Sequence, residues 1–241
     1  MQWVVHRFDV LTSTMDQCRA YAEAGAVEGV VVVADQQTRG RGRAGRSWYS
    51  PSGQSLYLSV LLKPRLAPHQ VGWLTMIGAL ATATSIERST EGKLRASIKW
   101  PNDVLVHSRK VAGVLVETAW LGDTLEYAVM GIGLNVNTTF EGAPEEVRQR
   151  AISLREALGV SLDREQMLQE ILMSLGEQLD HLPAPPTSAY ATRIEGMGQM
   201  VRLCVGNEIV EGRAASLRED GALVVQTESG LRAVALGELL G

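Results

Sequence analysis

Residues 36–53 read Gln-Gln-Thr-Arg-Gly-Arg-Gly-Arg-Ala-Gly-Arg-Ser-Trp-Tyr-Ser-Pro-Ser-Gly, so that Arg39, Arg41, Arg43 and Arg46 alternate with Gly40, Gly42 and Gly45. Between Asp35 and Glu87 there is no acidic residue, whereas six arginines and lysines fall there. The chain as a whole carries a formal net charge of −4, so the positive charge here is local. Guanidinium forks on a backbone free to bend can wrap an anion together with bare N–H groups. Residues 40–45 also fit the spacing G-x-G-x-x-G. A dinucleotide site would need a strand directly before, a helix directly after and an acidic residue about 20 positions on. Gln36 to Arg39 intervene, turn residues follow, and no carboxylate stands near Arg65. That reading is rejected.

A second cation, Lys99, stands at the end of a strand-like run and is followed by Trp100-Pro-Asn-Asp103. A rigid turn there can aim a fixed charge at a phosphate. Asn102 and Asp103 are either turn formers or a hydrated-cation site beside phosphates. Gly131-Ile-Gly-Leu-Asn-Val-Asn137 allows close backbone approach, and Asn135 has an amide able to read a base edge or ribose. Ser13 and Thr14 suit a helix N-cap. The chain has no G-x-S-x-G, H-E-x-x-H, paired C-x-x-C or P-loop motif, and its four histidines are scattered.

The pattern around these residues sets the elements that hold them. A strand is expected near residues 3–8, a helix to about residue 24, and a buried strand over 30–34. The run 54–62 alternates as a strand leaving the basic loop. A core helix follows over about 70–88, then strands near 96–100, 104–106, 110–117 and 125–132. Consecutive strands with short turns predict an α+β protein with a central mixed or antiparallel sheet. Helices are expected over 145–158 and 164–182, and Pro183-Ala-Pro-Pro186 marks a linker. Beyond a short helix near 189–195, four strands (200–205, 208–217, 222–226, 231–236) predict a small barrel. The expected division is a large domain over 1–186, a linker over 187–197 and a small barrel domain over 198–241.

At 241 residues, with 45% hydrophobic and 21% charged residues, the chain has the composition of an ordinary globular protein. Net acidity counts against general nucleic-acid coating. Two distant cysteines, Cys18 and Cys204, form no disulfide framework. No signal peptide and no apolar run of about 18 residues is found, so a cytoplasmic location with no membrane span is expected.

Taken together, Gly40-Arg-Gly-Arg-Ala-Gly-Arg46 with Trp48, Lys99-Trp-Pro-Asn-Asp103, Lys110-Val-Ala-Gly-Val-Leu-Val-Glu117 and Gly131-Ile-Gly-Leu-Asn135 resemble the motifs of the biotin protein ligases. The resemblance covers nearly the whole chain. It implies a class II synthetase-like catalytic domain and an SH3-like C-terminal domain. It also implies a reaction in which biotin and Mg-ATP give biotinyl-5′-adenylate, from which biotin passes to a lysine of a biotin carboxyl carrier protein. Carried over by position, Lys99 and Arg43 would be the catalytic cations. Ser13, Thr14, Gln37, Gly40, Arg41, Gly42, Arg43, Lys99 and Gly113 would meet biotin. Arg43, Arg46, Trp48, Asn102, Lys110 and Asn135 would meet the nucleotide, and Asp103 the magnesium ion. Two departures are visible: Met15 stands where an asparagine is common, and Ala44 where a basic residue is common. The chain starts directly at the catalytic motifs, which predicts no specific DNA binding. A sheet edge near 110–117 could pair with a second copy or with the carrier. Two other readings stand beside this one. A lipoate or octanoate ligase or transferase shares the fold but has other motifs, and a non-catalytic nucleic-acid-binding protein would need more basic surface.

Overall fold

β-branched and aromatic runs separated by turn residues become twelve strands, β1 to β12, in two sheets. The computed structural model describes residues 1–240. Its larger sheet has the order β1 (Val4–Leu11), β2 (Val30–Gln37), β3 (Leu56–Leu62), β7 (Thr124–Leu134), β6 (Arg109–Leu121), β5 (Asp103–Val106), β4 (Ser97–Lys99). β1 and β2 run parallel, joined across α1 (Thr14–Glu23), and every other neighbouring pair is antiparallel. The sheet is therefore mixed, as the pattern predicts.

Helices cover both faces. Met15, Cys18 and Ala22 of α1 pack on Val30, Val32, Leu61 and Val129. On the opposite face lies α2 (Gly72–Ser89), with α5 (Arg164–Asp180) against it. Gly78 lets α2 sit close, because a Cβ there would be 2.8 Å from Val114 Cγ1 and 2.9 Å from Met130 Sδ. Double coverage explains why all seven residues of β3 are buried, although its sequence reads as alternating.

Three expectations need correction. The helix foreseen over 145–158 is two short ones, α3 (Glu145–Arg150) and α4 (Leu154–Leu158). Between them Ile152 N donates to Lys110 O at 2.9 Å and Arg109 Nη2 donates to Ala151 O at 2.5 Å. Ser153 caps α4 by accepting from Glu156 N. Bonds to β6 thus outweigh local helix propensity. Second, β5 covers only the start of β6, pairing Asp103 with Gly113 and Val106 with Arg109. The part of β6 beyond Val114 pairs with β7 alone among the described strands, so the open edge is shorter and later than 110–117. Third, the small domain has five strands: β8 (Met200–Val205), β9 (Glu208–Leu217), β10 (Leu223–Thr227), β11 (Gly230–Val234) and β12 (Glu238–Leu240). Their order is β11-β10-β9-β8-β12, all antiparallel, and the two end strands do not pair with each other. The sheet stays open rather than closing as a barrel.

The segment between the two sheets is fastened down. In α6 (Thr187–Ala191), the Tyr190 hydroxyl, in a fully buried side chain, donates to Pro101 O at 2.6 Å. Ile98 N donates to Arg193 O at 2.7 Å, and Arg193 holds Glu87 of α2 through two bonds of 2.9 Å. The hairpin between β9 and β10 docks on two indoles: Trp73 Nε1 donates to Glu219 O at 2.6 Å and Trp100 Nε1 to Gly221 O at 3.1 Å. No helix among the described residues is long and apolar enough to cross a membrane.

Candidate active site

Strand register places the motif residues in one line. Residues paired directly across neighbouring strands point to the same face. One such row runs Ala34, Tyr57, Gly133, Gly113, Asp103, Lys99, from β2 to β4. The next row on that face runs Val32, Ser59, Gly131, Leu115. Three glycines thus fall together and leave a floor without side chains. Trp48 lies on it: a Cβ on Gly133 would come 2.5 Å from its Cε2, and one on Gly113 would come 3.1 Å from its Cζ3. Met15 from the start of α1 sits over Gly131, with Sδ 2.9 Å from a Cβ placed there.

Above this floor is an open cleft with a cavity volume of about 130 Å³. One end is polar and buried. Ser13 caps α1 by accepting from Met15 N at 3.3 Å. The N–H of Thr14 donates to Gln37 Oε1 at 2.9 Å, and its hydroxyl bonds Ser59 Oγ at 2.8 Å. Gln37 Nε2 donates in turn to Ser50 Oγ at 3.1 Å, which donates to Trp48 O. This chain of bonds fixes the amide orientation of Gln37 and ties α1 to the basic loop.

The other end is cationic. Five cations line the cleft, namely Arg41, Arg43, Arg46, Lys99 and Lys110. Three of them already face carboxylates. Arg41 bonds Asp16 of α1 at 2.8 Å and Glu117 of β6 at 3.3 Å. Arg46 bonds Glu238 of β12 through both nitrogens at 2.8 Å. Lys110 bonds Asp103 at 2.6 Å and lies 5.2 Å from the Trp48 ring centroid. Arg43 meets only the neutral oxygen of Asn102, at 2.9 Å, and Lys99 makes no ion pair with a described residue. The cleft cations outside ion pairs are thus Lys99 and Arg43, where a bound anion gains most. Two N–H donors, Arg41 Nε and Trp48 Nε1, are buried at the cleft without an acceptor among the described residues.

Of the residues singled out from sequence, Ser13, Thr14, Gln37, Arg41, Gly42, Arg43, Arg46, Trp48, Lys99, Asn102, Asp103, Lys110 and Gly113 all line this one cleft. Gly40 and Asn135 do not. Gly40 is buried beneath the loop, where a Cβ would be 2.6 Å from Ser50 Oγ and 2.7 Å from Trp48 O. Asn135 is 3% exposed, and its Nδ2 donates to Ile152 O at 3.3 Å, so it braces the β7 exit against the segment before α4. Sequence reasoning missed Asp16, Glu117 and Glu238 as partners of the loop arginines. Only the two-residue spacing of Gly131 and Gly133, with Gly113, signalled a bare strand face. Asp103 and Glu238 are the carboxylates lining the cleft, and the described residues hold no cluster of three or more metal-ligating side chains. That donor set suits a magnesium ion carried in on phosphate oxygens.

A seven-stranded mixed sheet with a cation-lined cleft over its glycine floor, joined to a small antiparallel sheet, defines a two-domain ligase architecture. The chain belongs to the biotin/lipoate A/B protein ligase family, whose model matches residues 8–135, and the model of the biotin protein ligase C-terminal domain matches residues 196–239. It is 34% identical over 236 residues to the biotin–[acetyl-CoA-carboxylase] ligase of Mycobacterium tuberculosis, covering 95% of this chain and 85% of that protein. With the bifunctional ligase/repressor BirA of Bacillus spizizenii the identity is 32% over 230 residues, 94% of this chain and 70% of that protein. The Aquifex aeolicus biotin protein ligase in complex with biotin and ATP superposes with a TM-score of 0.83 at 31% identity, over 98% of this chain and 97% of that one.

Proposed function

We propose that the chain is a biotin–protein ligase. It joins biotin to ATP and passes the biotinyl group to a lysine of a biotin carboxyl carrier protein, such as that of acetyl-CoA carboxylase. In the first step a biotin carboxylate oxygen bonds to the α-phosphorus, the bond to the β-phosphate oxygen breaks, and magnesium pyrophosphate leaves. In the second, the lysine amine attacks the carbonyl of the mixed anhydride, AMP leaves, and the amine loses a proton. The observation that carries this reading is the charge distribution at the cleft. Two anions must meet, and Lys99 and Arg43 are the cleft cations that form no ion pair with a carboxylate among the described residues.

In this reading the buried network of Ser13, Thr14 and Gln37 takes the polar ring of biotin, and the apolar side chains of Trp48 and Met15, resting on the glycine floor, take its thioether and chain. The nucleotide lies toward Arg43, Asn102 and Lys110, and Asp103 is the carboxylate that reaches its magnesium ion. Arg43 retains the adenylate by closing over it from the basic loop, where exclusion of water protects the anhydride. The open part of β6, ending in the 72% exposed Leu121, offers backbone groups to a carrier strand or to a second copy of the chain.

Calorimetry of biotin binding, with and without Mg-ATP, tests the reading. Lys99→Ala is expected to bind biotin within about threefold of wild type and to form adenylate at least about 100-fold more slowly, the scale of losing one fixed charge at a transition state. A wild type stabilised against heat by lipoate and not by biotin would replace biotin with lipoate as substrate.

A further inference from the structure

The bidentate pair between Arg46 and Glu238 joins parts of the chain 192 residues apart. Arg46 belongs to the basic loop, just after the turn that carries Ala44 at a φ of 53°. Glu238 opens β12, which is held in place by pairing with β8, Glu238 opposite Cys204. The carboxylate reaches out of its own sheet into the cleft, which it lines together with Lys99 and Lys110. The hydrogen bonds from Arg46 hold its carboxyl below the ordinary carboxylate range, and the charges of Lys99 and Lys110 add to this. The same loop is pinned at its other end by Arg41, which bonds Asp16 and Glu117. Loop closure thus has two clasps, one from the catalytic sheet and one from the small domain.

We propose that Glu238 is a positioning residue that latches the basic loop through Arg46 and so sets how long the acyl-adenylate stays bound. The inference rests on the ligase reading and assigns the small domain a part in retaining the intermediate. Arg46 then acts through Glu238 and does not serve as a phosphate ligand.

The test follows biotinyl-adenylate formed from labelled biotin and Mg-ATP, its release timed by chase. Glu238→Gln and Arg46→Gln should each speed release roughly three- to tenfold, the range for losing one exposed bidentate charge pair. Biotin affinity should stay within about twofold. The charge swap Glu238→Arg with Arg46→Glu should restore retention to within about twofold of wild type. Release at the wild-type rate from Glu238→Gln would overturn the latch. So would opposite effects on the KM for ATP, lower in Glu238→Gln and higher in Arg46→Gln, which would make Arg46 a phosphate ligand that Glu238 merely occupies. A wild type that forms no adenylate would sink the ligase reading, and trypsin then judges the latch by itself. Without ligand, Glu238→Gln should be cut in the loop at Arg41, Arg43 and Arg46 at least about three times faster than wild type. Equal cutting would reject the latch.

Discussion

At Gly133 a side chain is excluded because Trp48 fills the space one would need, with ring atoms 2.5, 2.7 and 2.9 Å from a Cβ built there. Gly133→Ala must push the half-buried indole off the floor and into the cleft. Binding of biotin should weaken at least about tenfold while the fold survives, since the displaced ring can move toward the open side; a melting temperature within a few degrees of wild type alongside lost affinity checks this. Gly176 in α5 is the contrast, with nothing within 4 Å of its Cβ position. Gly176→Ala should stabilise by about 0.5–1 kcal/mol through helix propensity alone, measured by denaturant unfolding. The sequence sets Gly133 in a close-approach motif and Gly176 within a helix, but does not show what lies against either. The difference lies in what the fold brings against each.

Strands and helices were largely legible because their apolar runs carry the right periods, and 13 of the 15 expected site residues share one cleft. What was not legible depends on pairing between distant segments. The break after α3 is made by Lys110 and Arg109, and the place of Asn135 by Ile152; neither partner is near in sequence. β12, three residues long, has almost no pattern of its own, and with it Glu238 was lost. Glu87 near the end of α2 is another such case. Its partner Arg193 lies 106 residues on, and the pair is only 18% and 24% exposed. Burial opposes its ionisation, but the bonds from Arg193 and Ala96 N–H outweigh it and leave the Glu87 carboxyl below its ordinary value near 4.5. A folded-state value lowered in this way contributes stability above the unfolded value, and that stability is lost as pH falls through the folded one. Unfolding free energy should therefore decline below about pH 4.5. In Glu87→Gln it should be lower at neutral pH by about 1–3 kcal/mol and fall less steeply with acid, which urea titrations at several pH values would reveal.

Across the whole molecule, the two sheets are coupled through two buried tryptophans, of which Trp100 also lines the cleft. Trp73 is 2% exposed and donates to Glu219 O, and Trp100, likewise 2% exposed, donates to Gly221 O in the same hairpin. Trp100 follows Lys99 directly, so the hairpin of the small domain braces the residue next to the proposed catalytic cation. Met76 of α2 sits under Gly221, its Cε 2.9 Å from a Cβ there, which fills the joint with apolar contact. A joint made of buried aromatic side chains and backbone bonds couples the two units into one cooperative structure. Wild type should therefore unfold in a single thermal transition. Trp73→Phe removes one buried donor and strands a carbonyl, a loss of about 1–3 kcal/mol. That loss falls on the joint between the two sheets. Amides of β9 and β10 should then exchange hydrogen markedly faster, while those of β3 and β7 keep their protection. Adenylate formation should slow several-fold, because Trp100 loses part of the surface that fixes it. If β9 and β10 keep wild-type protection in Trp73→Phe, the Trp100 bond to Gly221 and the apolar contact of Met76 there suffice to hold the joint, and the indole bond to Glu219 contributes nothing to the brace.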